Sequence, residues 1–178
     1  MRFTILLIGL LSYCLGQTSS DSLMLDVGTE APSFCLPSYQ KDYVYLRDYC
    51  GEKLRKPWLK KKYVVVISFF ASWCKPCIAE IPHLEKMKQE FKDKQVKFFL
   101  VNVGEDKEKI KTFLKTNKTN LTILMDRFQK TAEKFDALKL PRLYVIDKNG
   151  IIQKSQKGFS DPVLFENEIR GLIVNLLQ

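Results

Sequence analysis

The sequence YVVVISFFASWCKPC, residues 63–77, decides the fold, because an apolar run leads directly into a Cys-x-x-Cys motif. Residues 63–70 are β-branched and aromatic, which is typical of a central strand buried on both faces. Cys74 and Cys77 then open a predicted helix over residues 75–92. A Cys-x-x-Cys pair at a strand-to-helix junction is a redox dithiol motif. The free N–H groups and partial positive charge of a helix N-terminus stabilise the thiolate, which is the form that attacks a disulfide.

The segments around this junction predict strands and helices in alternation. The predicted strands are residues 33–36, 43–46, 63–70, 96–103, 121–125, 143–147 and 151–154. The predicted helices are residues 75–92, 106–117, 128–137 and 161–177. The first two strands pair as a hairpin, and Asn149-Gly150 predicts a second hairpin between the last two. The fold class is therefore α/β, with a central mixed β-sheet flanked by helices and an N-terminal β-hairpin extension.

Length and composition indicate one domain with a processed end. The chain has 178 residues, of which 46% are hydrophobic, so it can bury an ordinary core without disulfides. Its formal net charge is +9, and the lysines are scattered along helix faces and one loop. This pattern favours a soluble basic surface, with binding to an anionic partner or membrane surface as the alternative. No recognition motif accompanies the charge, so we expect no nucleic-acid partner.

Residues 1–20 read as a secretory or lipoprotein signal. Arg2 is followed by the apolar residues 3–11, a run too short to span a bilayer comfortably. Three outcomes stay open: cleavage near Gly16 or Ser20, lipidation of Cys14, or retention as an uncleaved membrane anchor. Each outcome places residues 25–178 outside the cytoplasm, in the periplasm or secreted, and two of them leave the protein attached to a membrane.

Five short motifs together resemble the TlpA/ResA-like extracytoplasmic thiol-disulfide oxidoreductases of the thioredoxin superfamily. They are Ala31-Pro32-Ser33-Phe34, Phe70-Ala71-Ser72-Trp73-Cys74-Lys75-Pro76-Cys77, Glu80-Ile81-Pro82, Val101-Asn102-Val103-Gly104 and Leu140-Pro141. The resemblance covers residues 25–178 and implies one thioredoxin-like domain there. It also implies an enzyme that reduces disulfides of extracytoplasmic proteins, with cytochrome c maturation as an example.

The dithiol itself predicts a three-step exchange. Cys74, at the helix N-terminus and beside the positive charge of Lys75, is the expected nucleophile. Its thiolate attacks a substrate disulfide, a mixed disulfide forms, and the buried resolving thiol of Cys77 releases the reduced product. The alternatives are an inert disulfide or half of a metal site. No second cysteine pair or histidine cluster lies at ligand spacing, so we expect no metal.

The resemblance implies a substrate groove around the dithiol. Pro141 matches the loop proline that thioredoxin-fold proteins hold in cis facing the dithiol, where the backbone of Leu140 can pair with an extended substrate segment. Trp73 is expected to pack beside the dithiol and shield it. Arg142 replaces a common threonine and is expected to add charge to the groove. The groove residues are then Trp73, Lys75, Pro76, Leu140 and Arg142.

Glu80 is the candidate proton-transfer residue. It lies one turn beyond Cys77, and TlpA/ResA-like proteins often place there an acid implicated in proton handling for the dithiol. Thioredoxin instead uses an aspartate on the preceding strand, at a position that Ser68 occupies in this chain. Glu80 is therefore the better candidate for a local base. The alternative is an ordinary solvated helix carboxylate.

Cys35 and Cys50 flank the first hairpin and are candidates for a structural disulfide. In an oxidising compartment, closing this loop would contribute about 3 kcal/mol in the chain-entropy model. Two free buried thiols, or a second redox pair that exchanges with the Cys74–Cys77 dithiol, are the alternatives.

The sequence therefore predicts a thiol-disulfide oxidoreductase of the protein-disulfide reductase type. We expect it to be a monomer without a cofactor, because the chain has no nucleotide or flavin motif, and to receive electrons from a membrane thiol donor. One rival is a thiol peroxidase of the peroxiredoxin type, which needs a Pro-x-x-x-Thr-x-x-Cys arrangement that is absent before Cys74. The other is a copper-chaperone-like binding module, for which the single histidine, His83, is poorly placed.

Overall fold

The computed structural model describes residues 25–40, 42–53 and 55–178. The signal predicted for residues 1–20 and the predicted lipidation of Cys14 lie outside the described residues. Among the described residues, the helices are all too short or too polar to cross a bilayer.

Seven strands and four helices make up the described chain. The strands are β1 (Cys35–Pro37), β2 (Tyr43–Tyr45), β3 (Val64–Phe70), β4 (Val96–Val103), β5 (Thr122–Asp126), β6 (Arg142–Ile146) and β7 (Ile152–Lys157). The helices are α1 (Lys75–Glu90), α2 (Lys107–Thr116), α3 (Lys130–Lys134) and α4 (Pro162–Leu177), and a 3₁₀ turn covers Leu46–Asp48. The predicted α/β class with an N-terminal hairpin is confirmed.

The central sheet has the strand order β5-β4-β3-β6-β7. The β3–β4 and β4–β5 pairs are parallel, whereas β3–β6 and β6–β7 are antiparallel. The β1–β2 hairpin forms a separate two-stranded sheet and lies against the outer edge of β5, where Ser38 pairs with Leu124. The backbone N–H of Tyr39 also donates to the carbonyl of Ile123 at 2.8 Å.

Two apolar cores lie on opposite faces of this sheet, because successive side chains of a strand point to opposite sides. Val66 and Phe70 of β3 pack with side chains of α1, α2 and α4. Val65, Ile67 and Phe69 pack with the hairpin and α3. All seven β3 residues are buried, as expected for a central strand.

Two predicted elements, α3 and β7, differ from the observed ones by more than two residues at one end. Helix α3 covers only Lys130–Lys134, because Gln129 and Asp136 on either side adopt positive φ values of 61° and 45°. Strand β7 extends to Lys157, beyond the predicted end at residue 154. Its residues QKSQK are polar, so they do not produce an apolar strand signal, yet they pair with β6 as the edge of the sheet.

Candidate active site

The dithiol lies where β3 ends and α1 begins. Cys74 is the N-cap of α1, and its Sγ accepts a hydrogen bond from the backbone N–H of Cys77 at 3.3 Å. The two cysteines form a disulfide with a Cα–Cα distance of 5.3 Å. Cys74 is 4% exposed and Cys77 is 1% exposed. Both residues are buried, and Cys74 is the slightly more exposed one and the one whose Sγ faces an N–H group of the helix N-terminus.

The side chains next to Cys74 are open to solvent. Lys75 and Pro76 are exposed, and Trp73 is 71% exposed. The expectation that Trp73 shields the dithiol is wrong, because most of its side chain is exposed to solvent. Trp73 instead adds an exposed aromatic surface next to the disulfide.

The loop before β6 brings Pro141 to the same edge of the sheet. In the antiparallel β3–β6 pair, Phe69 lies opposite Arg142, so Pro141 lies level with the end of β3. The Leu140–Pro141 peptide bond is cis, as the resemblance implied. Leu140 packs against the core cluster that contains Cys74 and Cys77. The loop therefore flanks the dithiol. The carbonyl of Pro141 accepts a hydrogen bond from the backbone N–H of Gly158 at 3.1 Å, whereas Leu140 lies outside the described strands.

The prediction that Arg142 adds charge to the groove is wrong. Arg142 is 2% exposed, and its side chain points to the sheet face that carries α3, away from α1. Its Nε donates to the carbonyl oxygen of Asp136, and its Nη2 to a carboxylate oxygen of the same residue, both at 3.1 Å. The guanidinium therefore ties β6 to the end of α3, and its charge is turned away from the groove.

Glu80 is buried beneath the dithiol, so the solvated-carboxylate alternative is wrong. It is 1% exposed and lies one turn after Cys77 on the same face of α1. Its Oε1 has no hydrogen-bond partner among the described residues. Burial raises the pKa of the Glu80 carboxyl to about 7, although a hydrogen bond from the Ser68 hydroxyl offsets part of this effect. A carboxyl group with this pKa can exchange protons near neutral pH.

Glu105 holds the loop that carries Cys74, and the sequence analysis did not identify it. Its Oε2 accepts hydrogen bonds from the backbone N–H of Ser72 and from Nδ2 of Asn102, both at 2.7 Å, and its Oε1 accepts one from the Ser72 hydroxyl at 2.6 Å. Glu105 is 4% exposed and Asn102 is fully buried. Asn102 was the available signal, because a buried polar residue at the end of an apolar strand requires a partner.

His83 contacts a carboxylate on α4. Its Nδ1 lies 2.7 Å from Oε1 of Glu166, whose Oε2 accepts hydrogen bonds from Lys86 at 2.6 Å and Arg170 at 3.3 Å. The hydrogen bond with His83, followed by those from Lys86 and Arg170, lowers the pKa of the Glu166 carboxyl to about 2. In the part of the chain that the structure describes, His, Cys, Asp and Glu residues form no group suited to a metal ion.

The predicted Cys35–Cys50 disulfide is absent from the structure, where both residues are free thiols. Cys35 is exposed on β1, whereas Cys50 is 3% exposed in the core cluster on the α3 face of the sheet. The Cys50 thiol contacts the carbonyl oxygen of Leu46 at 3.9 Å, and burial raises its pKa to about 12. The two side chains occupy different environments, and the core holds Cys50 without a bridge.

The fold and the dithiol define a thiol-disulfide oxidoreductase of the thioredoxin superfamily. The comparisons with known proteins agree with this class. The sequence profile of the AhpC/TSA family matches residues 27–155. The ResA thiol-disulfide oxidoreductase of Geobacillus thermodenitrificans is 30% identical over 163 residues, which cover 89% of this chain and 86% of the relative. The chain therefore belongs to the AhpC/TSA family and, within it, to the ResA-like thiol-disulfide oxidoreductases.

Two further comparisons cover most of the described fold. The thioredoxin-like protein YneN of Bacillus subtilis is 29% identical over 157 residues, which cover 86% of this chain and 85% of the relative. A crystal structure of a DsbE-type thiol:disulfide interchange protein from Chlorobium tepidum superimposes with a TM-score of 0.74 and 27% identity. It covers 86% of this chain and 99% of the other.

Proposed function

We propose that this protein reduces disulfides of other proteins outside the cytoplasm through the Cys74–Cys77 dithiol. One observation carries the proposal: the disulfide lies at the N-terminus of α1, with Sγ of Cys74 accepting the N–H of Cys77. In the reduced enzyme the same N–H group and the helix N-terminus stabilise a Cys74 thiolate.

The catalytic cycle transfers two electrons from the dithiol to the client. The Cys74 thiolate attacks one sulfur of the client disulfide, forms a mixed disulfide and releases the other client sulfur as a thiolate. Cys77 then loses its proton and attacks Sγ of Cys74, which releases the second client thiolate. The client gains two thiols, and the enzyme is left with the Cys74–Cys77 disulfide that the structure contains.

Glu80 is the proposed acceptor of the Cys77 proton. Cys77 is 1% exposed, so water has little access to its thiol. Glu80 lies one turn away, and its pKa of about 7 leaves part of the carboxyl groups ionised near neutral pH. The unpartnered Oε1 is the atom best placed to take the proton, because it has no other hydrogen bond to break.

The proposed client groove runs between the dithiol turn and the loop before β6. Trp73, Lys75 and Pro76 form one exposed wall, and Leu140 and Pro141 form the other. An extended client segment would pair with the backbone of Leu140, which would hold its disulfide beside Cys74. Arg142 has no part in this groove.

We further propose that the reaction takes place outside the cytoplasm. Residues 1–20 would direct the domain of residues 25–178 out of the cytoplasm, either released or attached to a membrane, and the domain would act as a monomer. A membrane thiol donor would reduce the Cys74–Cys77 disulfide after each turnover. Cysteines of haem-attachment sites in cytochrome c maturation are the proposed client class, in line with the ResA and DsbE names of the relatives.

Insulin disulfide reduction tests the proposal. Cys74→Ser should lose turnover entirely, and Cys77→Ser should accumulate a mixed disulfide with the client. Cys35→Ser is the matched control, because it removes an exposed thiol outside the site and should keep full turnover. Turnover by Cys74→Ser would overturn the mechanism.

The direction of exchange has its own measurement. A reductase requires a reduction potential for the Cys74–Cys77 couple close to that of thioredoxin, about −270 mV. A potential near that of a strong oxidant such as DsbA, about −120 mV, would show that the protein instead introduces disulfides. Rapid hydrogen peroxide turnover by the reduced enzyme would favour the peroxidase rival.

A further inference from the structure

A group of lysines surrounds an exposed tryptophan at the end of the sheet opposite the dithiol. Residues 55–63 lead into the amino end of β3, and residues 91–95 lead into the amino end of β4. The backbone N–H of Val64 donates to the carbonyl of Gln95 at 2.9 Å, which joins the two segments. We call this surface the basic end, formed by Lys56, Trp58, Lys60, Lys61, Lys94 and Lys97.

Most charges of the basic end are not neutralised by neighbouring acids. Glu52 pairs with Lys62, and Glu30 pairs with Lys53 at 2.8 Å, so these carboxylates are already engaged. Within the described ranges, Lys60, Lys61 and Lys94 form no ion pair. Asp48 and Asp93 are the remaining acids nearby, so lysines outnumber free carboxylates on this surface.

The aromatic component of the basic end is Trp58, which is 71% exposed. Lys56 places its Nζ 5.9 Å from the Trp58 ring and 6.0 Å from the Tyr45 ring, and Lys97 places its Nζ 5.0 Å from the Tyr63 ring. A tryptophan among lysines is the composition that settles at an anionic membrane–water interface, where the ring lies at headgroup depth and the cations face lipid phosphates. An acidic protein could also bind lysines around a tryptophan, but the signal or membrane anchor predicted for residues 1–20 favours a lipid surface.

Hydrogen bonds hold Trp58 in its outward position. Arg55 donates through Nε and Nη2 to the carbonyl of Leu59 at 3.2 and 3.0 Å, and also to the carbonyl of Lys61. Its Nη1 donates to the carbonyl of Arg47 at 3.0 Å. The Arg55 guanidinium therefore holds the backbone on both sides of Trp58 in place. Trp58 lies at the tip of the turn that these bonds stabilise.

The described chain also begins at this end of the domain. The backbone N–H of Gly28 donates to the carbonyl of Ile152 at the start of β7, and that of Ala31 donates to the carbonyl of Gly150, both at 2.8 Å. The antiparallel pairing of β6 with β3 places the β6–β7 turn beside the amino end of β3. Residues 1–20, for which the sequence predicts a signal or a membrane anchor, thus precede a point next to the basic end.

We propose that the basic end docks on an anionic lipid surface and holds the dithiol away from the membrane. Strand β3 has seven residues and connects the two ends, which separates them by about 20 Å at 3.3 Å per residue. The dithiol then faces the aqueous compartment, where soluble clients approach it, while only the basic end contacts the lipid headgroups.

The chain carries its own control, because its only two tryptophans lie at opposite ends and are equally exposed. In the full-length Trp73→Phe variant, fluorescence reports only on Trp58, and in Trp58→Phe it reports only on Trp73. With vesicles of phosphatidylcholine and phosphatidylglycerol, we expect a blue shift of Trp58 emission and its quenching by headgroup-labelled lipid. Trp73 emission should stay unchanged. A protein held only by its N-terminal residues would show neither effect at Trp58.

Charge variants test the lysines. In the double variant Lys60→Glu/Lys61→Glu, the lipid affinity measured from the Trp58 shift should fall at least tenfold. The double variant Lys109→Glu/Lys111→Glu on α2 makes the same change in net charge and should keep the wild-type affinity. High salt should weaken the Trp58 shift, because it screens exposed charges. Equal quenching of both tryptophans, no quenching of Trp58, or equal shifts with pure phosphatidylcholine would each overturn the proposal. A selective Trp58 shift that both double variants lose equally would also overturn it.

Discussion

Glu80 on α1 and Glu166 on α4 are both buried glutamates on helices that pack together, yet their pKa values move in opposite directions. Glu80 is 1% exposed and Glu166 is 8% exposed. The pKa of Glu80 rises to about 7, because burial is not compensated by a cation. The pKa of Glu166 falls to about 2, because His83, Lys86 and Arg170 surround it.

The charge state of each carboxyl group follows its surroundings: burial dominates at Glu80, and hydrogen bonds from basic side chains dominate at Glu166. Glu166 is ionised at every physiological pH and ties α4 to α1 through His83 and Lys86. Glu80 is isolated next to the dithiol, where an uncompensated carboxyl group reduces stability but can take up a proton. The first arrangement serves structure, and the second is suited to chemistry.

The largest expected effect is on the pH dependence of stability in Glu80→Gln. The raised pKa means that the folded state holds the proton more tightly than the unfolded state does. Wild-type stability should therefore fall as pH rises from about 4.5 through 7. Because Gln cannot ionise, the variant should gain up to about 3 kcal/mol in free energy of unfolding at pH 8 and almost nothing at pH 4. Urea unfolding of the oxidised protein at both pH values measures this.

Glu108→Gln on α2 is the matched control, because it removes an exposed carboxylate and should leave the pH dependence unchanged. An equal gain for Glu80→Gln at pH 4 and pH 8 would show that Glu80 does not titrate between them.

The second effect is on the rate of disulfide reduction by Glu80→Gln. If the carboxylate accepts the Cys77 proton, the wild-type rate should rise through an inflection near pH 7 that the variant lacks. We expect a loss of about a hundredfold at pH 8, within the usual contribution of a general base, because water has little access to the buried Cys77 thiol. Stopped-flow measurement of the release of client from the mixed disulfide isolates this step. An unchanged pH–rate profile would assign Glu80 to stability alone.

The third effect has the opposite sign and concerns Glu166→Gln. A lowered pKa contributes stability above about 4.5 that is lost as pH falls toward 2. The variant should therefore melt a few degrees below wild type at pH 7 and at the same temperature near pH 2. Calorimetry across this range tests the expectation. Insulin reduction should be retained, and its loss would mean that the α1–α4 contact also positions the dithiol.

The smallest effect is expected for His83→Gln, which keeps a hydrogen-bond donor beside Glu166 and removes the ionisable ring. The pKa of Glu166 should rise toward its ordinary value but stay below it, because Lys86 and Arg170 remain. Carboxyl carbon NMR titration measures this shift and the pKa of Glu80 in the same sample. A change in the Glu80 pKa would show that the two carboxyl groups are not independent.

The sequence alone was sufficient to predict the strand and the helix on either side of the dithiol. Strand β3 and helix α1 lie within a residue or two of their predicted limits, because a doubly buried strand and an amphipathic helix both repeat a clear apolar pattern. The Cys-x-x-Cys spacing then placed Cys74 at the N-cap, and the cis bond at Pro141 followed from the resemblance.

What the sequence did not predict depends on the direction in which a side chain points. Arg142 turned to the other face of the sheet because Asp136, whose φ is positive, presents two acceptors there. Glu105 reached Ser72 across 33 positions in the chain, which no local pattern records. Cys35 and Cys50 lie near each other along the chain, but their environments are set by strand alternation and by the packing of the 3₁₀ turn.

The β1–β2 hairpin has a consequence for solubility. An edge strand with free backbone groups is a template for pairing with another chain, and extended client segments of the proposed kind would be such chains. The bridge from Ser38 to Leu124 and the bond from Tyr39 to Ile123 cover part of the outer edge of β5. The opposite edge, β7, is polar and contains two lysines, Lys154 and Lys157. Both edges thus discourage aggregation, whereas the proposed client groove leaves the segment at Leu140 open to a client backbone.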